Sequence, residues 1–227
     1  SSNVAFGVAW DGDADRVFFW DEQGTFIEGY FAGVLMAESL LKKAAQPGEK
    51  VLHCVRLSWL FNQVAEAAGG VPLVCKTGHG YIKEMMRAEH ALFAEEMSGH
   101  YYFRDNYFAD NGMIPFVLVL EMLSVTGQQL SELMAQYYRQ TAISGEINFR
   151  VADSKAVAEK IKAHYADQGT VDELDGVTME FADWRFNVRL SNNEPLLRLN
   201  VEGRSQKIVD EKTAELISLI DGQRVKE

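Results

Sequence analysis

Residues 51–100 run Val51-Leu52, Ser58 to Ala68, Gly69-Gly70, Val71-Pro-Leu-Val74, Lys76-Thr-Gly-His-Gly80, a mixed stretch to Arg87, Ala91-Leu-Phe-Ala94 and Glu95-Glu-Met-Ser-Gly-His100. Short apolar runs bounded by glycines read as strands, and the longer stretches between them read as helices. Ser58 is placed to cap one helix, and Gly69-Gly70 to stop it. Strand and helix alternating at this pitch predict a right-handed parallel α/β layer, with functional loops at the strand ends. Working outward, Val17-Phe-Phe-Trp20 and Phe26-Ile27 form a hairpin around Asp21 to Gly24, and a helix runs from Tyr30 to Ala45. Helices over 113–124 and 130–138 complete this α/β domain. Thr141 to Gly145 lacks periodicity and bulk and reads as a linker. Beyond it, the order strand (146–151), helix (154–165), two short strands, two longer strands and helix (205–220) predicts a small α+β domain.

Composition sets limits. The chain has 227 residues, 47% of them apolar, enough for two ordinary cores. A formal net charge of −11 argues against nucleic acid as a partner. It leaves room for a small anion held by a local cluster of cations. Cys54 and Cys75 fit no metal spacing and read as reduced residues of a cytoplasmic protein. No segment reaches the ~18 to 20 apolar residues of a membrane span, so no membrane partner is expected. The chain opens on Ser1-Ser2-Asn3 without Met, as a piece of something longer would.

The most chemically pointed stretch is Asp11-Gly-Asp-Ala-Asp-Arg16, which follows the apolar run Val4 to Trp10. That run reads as a buried strand, so the acids fall at its C-terminal edge, where open α/β sheets place ligands. In a near-extended loop, residues two apart point the same way, and Asp11, Asp13 and Asp15 converge. Carboxylates that close repel one another unless a cation holds them, and an all-oxygen shell suits Mg²⁺. Gly12 and Ala14 leave the backbone free to curl. Three other readings compete: a plain acidic turn, an EF-hand loop, and a phosphotransferase of the haloacid-dehalogenase type with an aspartate nucleophile. The EF-hand places Glu22 at its twelfth position, but it needs Gly where Arg16 stands.

Three further stretches carry polar chemistry. In Glu95 to His100, Glu96, Ser98 and His100 stand at alternate positions after a strand, and a carboxylate beside a hydroxyl can grip neighbouring sugar hydroxyls. His100, and His79 in Lys76-Thr-Gly-His79, can donate to a phosphate or move a proton. In Trp184 to Leu190, the residues Trp184, Phe186, Val188 and Leu190 share one face, leaving Arg185, Asn187 and Arg189 on the other. With Ser191-Asn-Asn-Glu-Pro195 following and Arg198 in the next strand, these groups suit a phosphate. The bland alternative is a solvated hairpin with surface arginines. His53, His90 and His164 read as structural or surface residues.

Asp11 to Arg16, Thr77-Gly-His79, Glu96 to His100 and Arg189 to Pro195 occur in the order and spacing of the α-D-phosphohexomutase family, which nearly all of the chain resembles. Phe26 to Tyr30, Gly112 to Pro115, Gly145 to Asn148 and Phe181 to Asn187 resemble its bacterial phosphomannomutase branch, the enzymes of capsule and GDP-mannose synthesis. The resemblance implies that Asp11, Asp13 and Asp15 bind Mg²⁺, with Arg16 beside the metal. Glu96 and Ser98 match the pair that contacts sugar hydroxyls three and four, and His79 and His100 match active-site histidines. Arg189, Ser191 and Asn192 match the loop holding the phosphate that is not transferred. Asn193 stands in that loop where Thr is usual. Gly78 belongs to the Thr77-Gly-His79 motif, and Cys54-Val55-Arg56 replaces an Asp-containing stretch of which only Arg56 keeps the expected cation. Met97 fits the mannose/glucose branch rather than phosphoglucosamine mutases.

The implied fold is the end of domain two (1–26), a mixed or parallel α/β domain three (27–140) and a small domain four like the TATA-box-binding protein (146–227). The implied reaction interconverts mannose 6-phosphate and mannose 1-phosphate through a phosphoserine and a bisphosphorylated sugar. The family's serine motif, of T-A-S-H-N-P type, is absent from these residues, so the chain is expected to be silent without the missing N-terminal domains. Phosphoglucomutase activity, or a stand-alone sugar-phosphate-binding module, are the alternatives.

Overall fold

The computed structural model describes residues 4–191 and 195–225. The chain divides into two compact units: Ser1–Cys54 with Ser58–Arg139, and Val55–Leu57 with Gln140–Glu227.

The first unit opens with an antiparallel sheet of three short strands, β1 (Gly7–Trp10), β2 (Val17–Trp20) and β3 (Phe26–Ile27). The 17–20/26–27 hairpin is as expected. The leading strand is not: β1 is only half-buried and pairs antiparallel with β2, so the acids occupy a hairpin turn rather than the end of a parallel strand. The reason lies in the sequence, since six residues suffice to reverse the chain but not for the crossover a parallel pair needs. Helix α1 (Gly29–Lys43) follows, buried from Gly29 through Ala37. Its apolar residues lie on all sides because it packs against other elements all round, with Lys42 and Lys43 favourably placed in the last turn.

Then come β4 (Lys50–Cys54), α2 (Trp59–Ala67), β5 (Val71–Cys75), α3 (His79–Glu89), β6 (Phe93–Glu96), β7 (His100–Phe103), β8 (Ala109–Asp110), α4 (Met113–Thr126) and α5 (Leu130–Tyr138). The sheet order is β5-β4-β6-β7-β8. Strands β4, β5 and β6 are parallel, whereas β7 and β8 add antiparallel. Ser58 occupies the N-cap position of α2 but makes no side-chain cap. The Tyr30 hydroxyl takes that role, accepting from the N–H groups of Leu60 and Phe61 at 3.1 and 3.2 Å. A capping partner 30 residues away leaves no local signal.

In the second unit the expected linker contains a strand, β9 (Ala142–Ile143), which pairs antiparallel with Glu202 and Gly203. After it run β10 (Ile147–Val151), α6 (Ser154–His164), β11 (Thr170–Asp172), β12 (Val177–Glu180), β13 (Trp184–Leu190), β14 (Leu197–Gly203), α7 (Gln206–Leu219) and β15 (Gly222–Val225). The main path of this antiparallel sheet is β11-β12-β13-β14-β10-β15. Phe149, Ile161, Tyr165, Phe186, Leu199 and Leu216 are among its core residues. Asp153 and Ser205 cap α6 and α7, accepting from Ala156 N and Ile208 N. No single described helix is long and apolar enough to cross a membrane.

Candidate active site

The acidic turn is curled, not extended. Ala14 N–H donates to the Asp11 carbonyl, and Ala14 itself, not Gly12, takes the left-handed conformation at φ 59°. An L-residue held there is a mark of functional loops. The curl brings one oxygen each of Asp11, Asp13 and Asp15 within 4.8 Å of one another. Arg16 completes the turn: its Nε donates to Asp11 Oδ2 at 2.6 Å and lies 3.8 Å from Asp15 Oδ1. Desolvation pushes the Asp11 carboxyl up, but the Arg16 N–H, guanidinium hydrogen bond and charge outweigh it and hold the group below the usual range. The all-oxygen donor set and the crowding of like charge fit a hard divalent cation.

Glu96 to His100 form a tight hairpin between β6 and β7, with Glu96 and His100 directly paired, rather than an open loop after a strand. Gly99 turns it at φ 92°, a conformation that suits glycine. The hairpin is tied to the acidic turn by a bridge between Arg16 and His100 and by Val17 N–H donating to the Gly99 carbonyl at 3.1 Å. Ser98 Oγ and His100 Nδ1 share a hydrogen bond of 3.0 Å. His100 Nε2 lies 3.5 Å from Asp15 Oδ2. Glu96 is buried, and the Tyr102 hydroxyl donates to its Oε2 at 3.3 Å. Burial, then the charges of Glu96 and Asp110, push the Tyr102 hydroxyl far up, so it stays a donor.

Thr77 is buried, Gly78 precedes α3 at φ 126°, and His79 is exposed as the first residue of that helix, after β5. His79 stands on α3, a different element from the Glu96–His100 hairpin. Arg56 follows β4 in the chain yet belongs to the second unit.

In that unit Arg185, Asn187 and Arg189 do face away from Phe186 and Val188, but the solvated reading fails: they are 2%, 0% and 2% exposed. Arg185 donates to the carbonyls of Arg56 and Val55, each at 3.0 Å, and to Glu180 Oε1 at 3.0 Å. It also lies 3.6 Å from the fully buried Glu202. Asn187 Nδ2 reaches the Asp175 carbonyl and Thr178 Oγ1. Arg189 pairs in register with Arg198 across β13 and β14. Ser191 N–H donates to the Leu196 carbonyl at 2.8 Å. Asn192 and Asn193, predicted for the same phosphate, lie outside the described residues.

Several residues at these places escaped sequence reading. Lys83 pairs with Asp110 at 2.7 Å, and one ligand atom of Asp110 lies within 4.8 Å of those of Asp15 and His100. Glu146 receives Arg56 at 2.9 Å and Arg198 at 3.1 Å. Burial raises the Glu146 carboxyl, but the charges of Arg56 and Arg198, the Arg56 hydrogen bond and the charge of Arg189 hold it below the usual range. Lys83, one helical turn after His79, carried a faint signal; Asp110 and Glu146 carried none, because their partners are remote in sequence.

Residues 28–141 match the family model described as "Phosphoglucomutase/phosphomannomutase, alpha/beta/alpha domain III", and residues 146–219 match "Phosphoglucomutase/phosphomannomutase, C-terminal domain". A relative named "Phosphohexose mutases" from Xanthomonas campestris is 48% identical over 219 residues, covering 96% of this chain and 48% of its own length. A "Phosphomannomutase" from Salmonella montevideo is 48% identical over 217 residues, covering 95% of this chain and 47% of its own. The crystal structure of a phosphoglucomutase/phosphomannomutase family protein from Burkholderia thailandensis superposes with a TM-score of 0.77 at 25% identity, over 96% of this chain and 48% of that one. The chain thus spans about half the length of the curated relatives it matches. On two consecutive domain models and near-half identity along almost its whole length, the chain belongs to the phosphoglucomutase/phosphomannomutase family.

Proposed function

We propose that this chain is the sugar- and phosphate-holding part of a phosphohexomutase that interconverts mannose 6-phosphate and mannose 1-phosphate. The observation that carries the reading is the joining of the acidic turn to the Glu96–His100 hairpin through Arg16, Val17 and Gly99. A site for phosphoryl charge and a grip for sugar hydroxyls are thereby held in one rigid piece. The Salmonella relative's name favours mannose over glucose phosphates as substrate.

Each side chain then has a role. Glu96, fixed by Tyr102, accepts from two neighbouring hydroxyls, and Ser98 assists it. His100, held at Nδ1 by Ser98, presents Nε2 to a phosphate oxygen or to a hydroxyl proton. Arg16 neutralises charge as a phosphoryl group moves, a process that demands positioning and electrostatics more than protein nucleophilicity. Asp11, Asp13 and Asp15 would hold Mg²⁺, which when bound supplies further neutralisation of the phosphoryl oxygens. Arg189, with Ser191, Asn192 and Asn193, would hold the phosphate that stays, and His79 and Arg56 would contact the substrate. The phosphoryl donor would be a phosphoserine outside these 227 residues.

Conversion of mannose 6-phosphate, followed by ³¹P NMR, tests the reading. The complete protein is expected to turn over and the 227-residue chain alone to be silent. Asp13→Asn in the complete protein is expected to lose on the order of 10³-fold in kcat, the scale of one lost charge-stabilising group. Turnover by the isolated chain, or full activity of Asp13→Asn, contradicts it.

A further inference from the structure

In the second unit two guanidinium groups meet on one carboxylate, and a third stands beside them in the strand register. Arg56 Nη1 donates to Glu146 Oε2 at 2.9 Å, and Arg198 Nη1 lies 3.1 Å from Oε1. Arg189, beside Arg198 in the strand register, adds its charge to the same carboxylate. The setting is largely desolvated: the Arg56 side chain is 2% exposed, Glu146 14% and Arg198 20%. Buried cations are stable only when an anion answers them, and removing water strengthens that demand. The two oxygens of Glu146 go to two different guanidinium groups, the way phosphate oxygens are shared among arginines.

We infer that Glu146 is an internal stand-in for phosphate, which holds Arg56 and Arg198 ready and yields them when a phosphorylated ligand arrives. The inference rests on the reading of Arg189 and Ser191 as phosphate ligands. It goes beyond that reading by making the site's affinity a competition: an entering phosphate must displace a carboxylate already in place. Such a counter-ion keeps the arginines from collapsing onto other carboxylates and weakens the grip on the phosphate, which favours release. A purely structural Glu146 would instead be retained on binding, and its loss would not tighten the site.

Inorganic phosphate is the probe, titrated calorimetrically into the chain and into Glu146→Gln at fixed ionic strength, with Arg189→Ala identifying binding at this site. Glu146→Gln removes the competing charge while keeping the shape. It is expected to bind phosphate at least tenfold more tightly than the unaltered chain, and Arg189→Ala to lose binding. Equal or weaker binding by Glu146→Gln overturns the inference and leaves the phosphate reading standing. Absence of binding by both proteins overturns the two together. Should Glu146→Gln fail to fold, the ¹³C resonance of the Glu146 carboxylate in the unaltered chain decides. It is expected to shift in step with phosphate occupancy, and a resonance unmoved at saturation overturns the inference.

Discussion

The acidic turn and the arginine cluster are both charged, yet they are built in opposite ways. Asp11 to Arg16 are six consecutive residues, exposed or half-exposed, with ion pairs that join Arg16 to its own neighbours and Asp15 to His100. The cluster draws Arg56, Glu146, Arg185, Arg198 and Glu202 from separate parts of the chain and buries most of them. In the turn, water screens the charges, so their arrangement contributes little to stability and is free to serve a ligand. In the cluster, each charge is desolvated and must be matched, so the same residues support the fold as well as a ligand.

Two perturbations sharpen that contrast, beyond the loss of turnover expected for Asp13→Asn. The larger is Arg185→Met, which keeps the bulk but removes the donor to two carbonyls and the charge beside Glu202. It is expected to cost about 3 kcal/mol in urea unfolding, the scale for one partner lost from a buried pair. Asp13→Asn should move the same curve by no more than about 0.5 kcal/mol, as surface substitutions do. Equal costs at the two positions would break the comparison.

The smaller effect is acid lability. The Glu146 carboxyl lies below its ordinary value of 4.5 in the folded chain, so the unfolded state takes up its proton first as pH falls. Its contribution is present in full above the ordinary value and is lost as pH drops through the lowered one. Unfolding followed by Trp184 fluorescence is expected to show the second unit weakening across that window. Glu146→Gln should flatten the dependence, and an unchanged slope would show that the arginines do not stabilise this carboxylate.

What was legible in the sequence follows the same division. Apolar runs and their spacing located β4 to β6 and the helices α1 to α7, because strand and helix periods are local. The acid spacing and the Glu96, Ser98, His100 pattern located residues that meet in space, because each motif folds within its own turn or hairpin. The geometry of those turns was less legible: the curl at Ala14 and the half-burial of β1 depend on what the loop and strand find beside them. Hidden altogether were Tyr30 capping α2, β9 within the apparent linker, and the burial of Arg185 and Arg189. An arginine in an alternating strand looks solvated until a distant carbonyl or carboxylate is brought to it. Glu146, at the start of a strand, gave no sign of its arginines.

Paramagnetic relaxation by Mn²⁺, standing in for Mg²⁺, tests the central claim most directly. In the ¹⁵N-labelled chain, substoichiometric Mn²⁺ is expected to broaden first the amides of Asp11 to Arg16, and next those of Gly99 and His100 across the bridge. Asp13→Asn should abolish that pattern. Sharp resonances for these residues while others broaden, or uniform broadening indifferent to Asp13→Asn, would contradict the account.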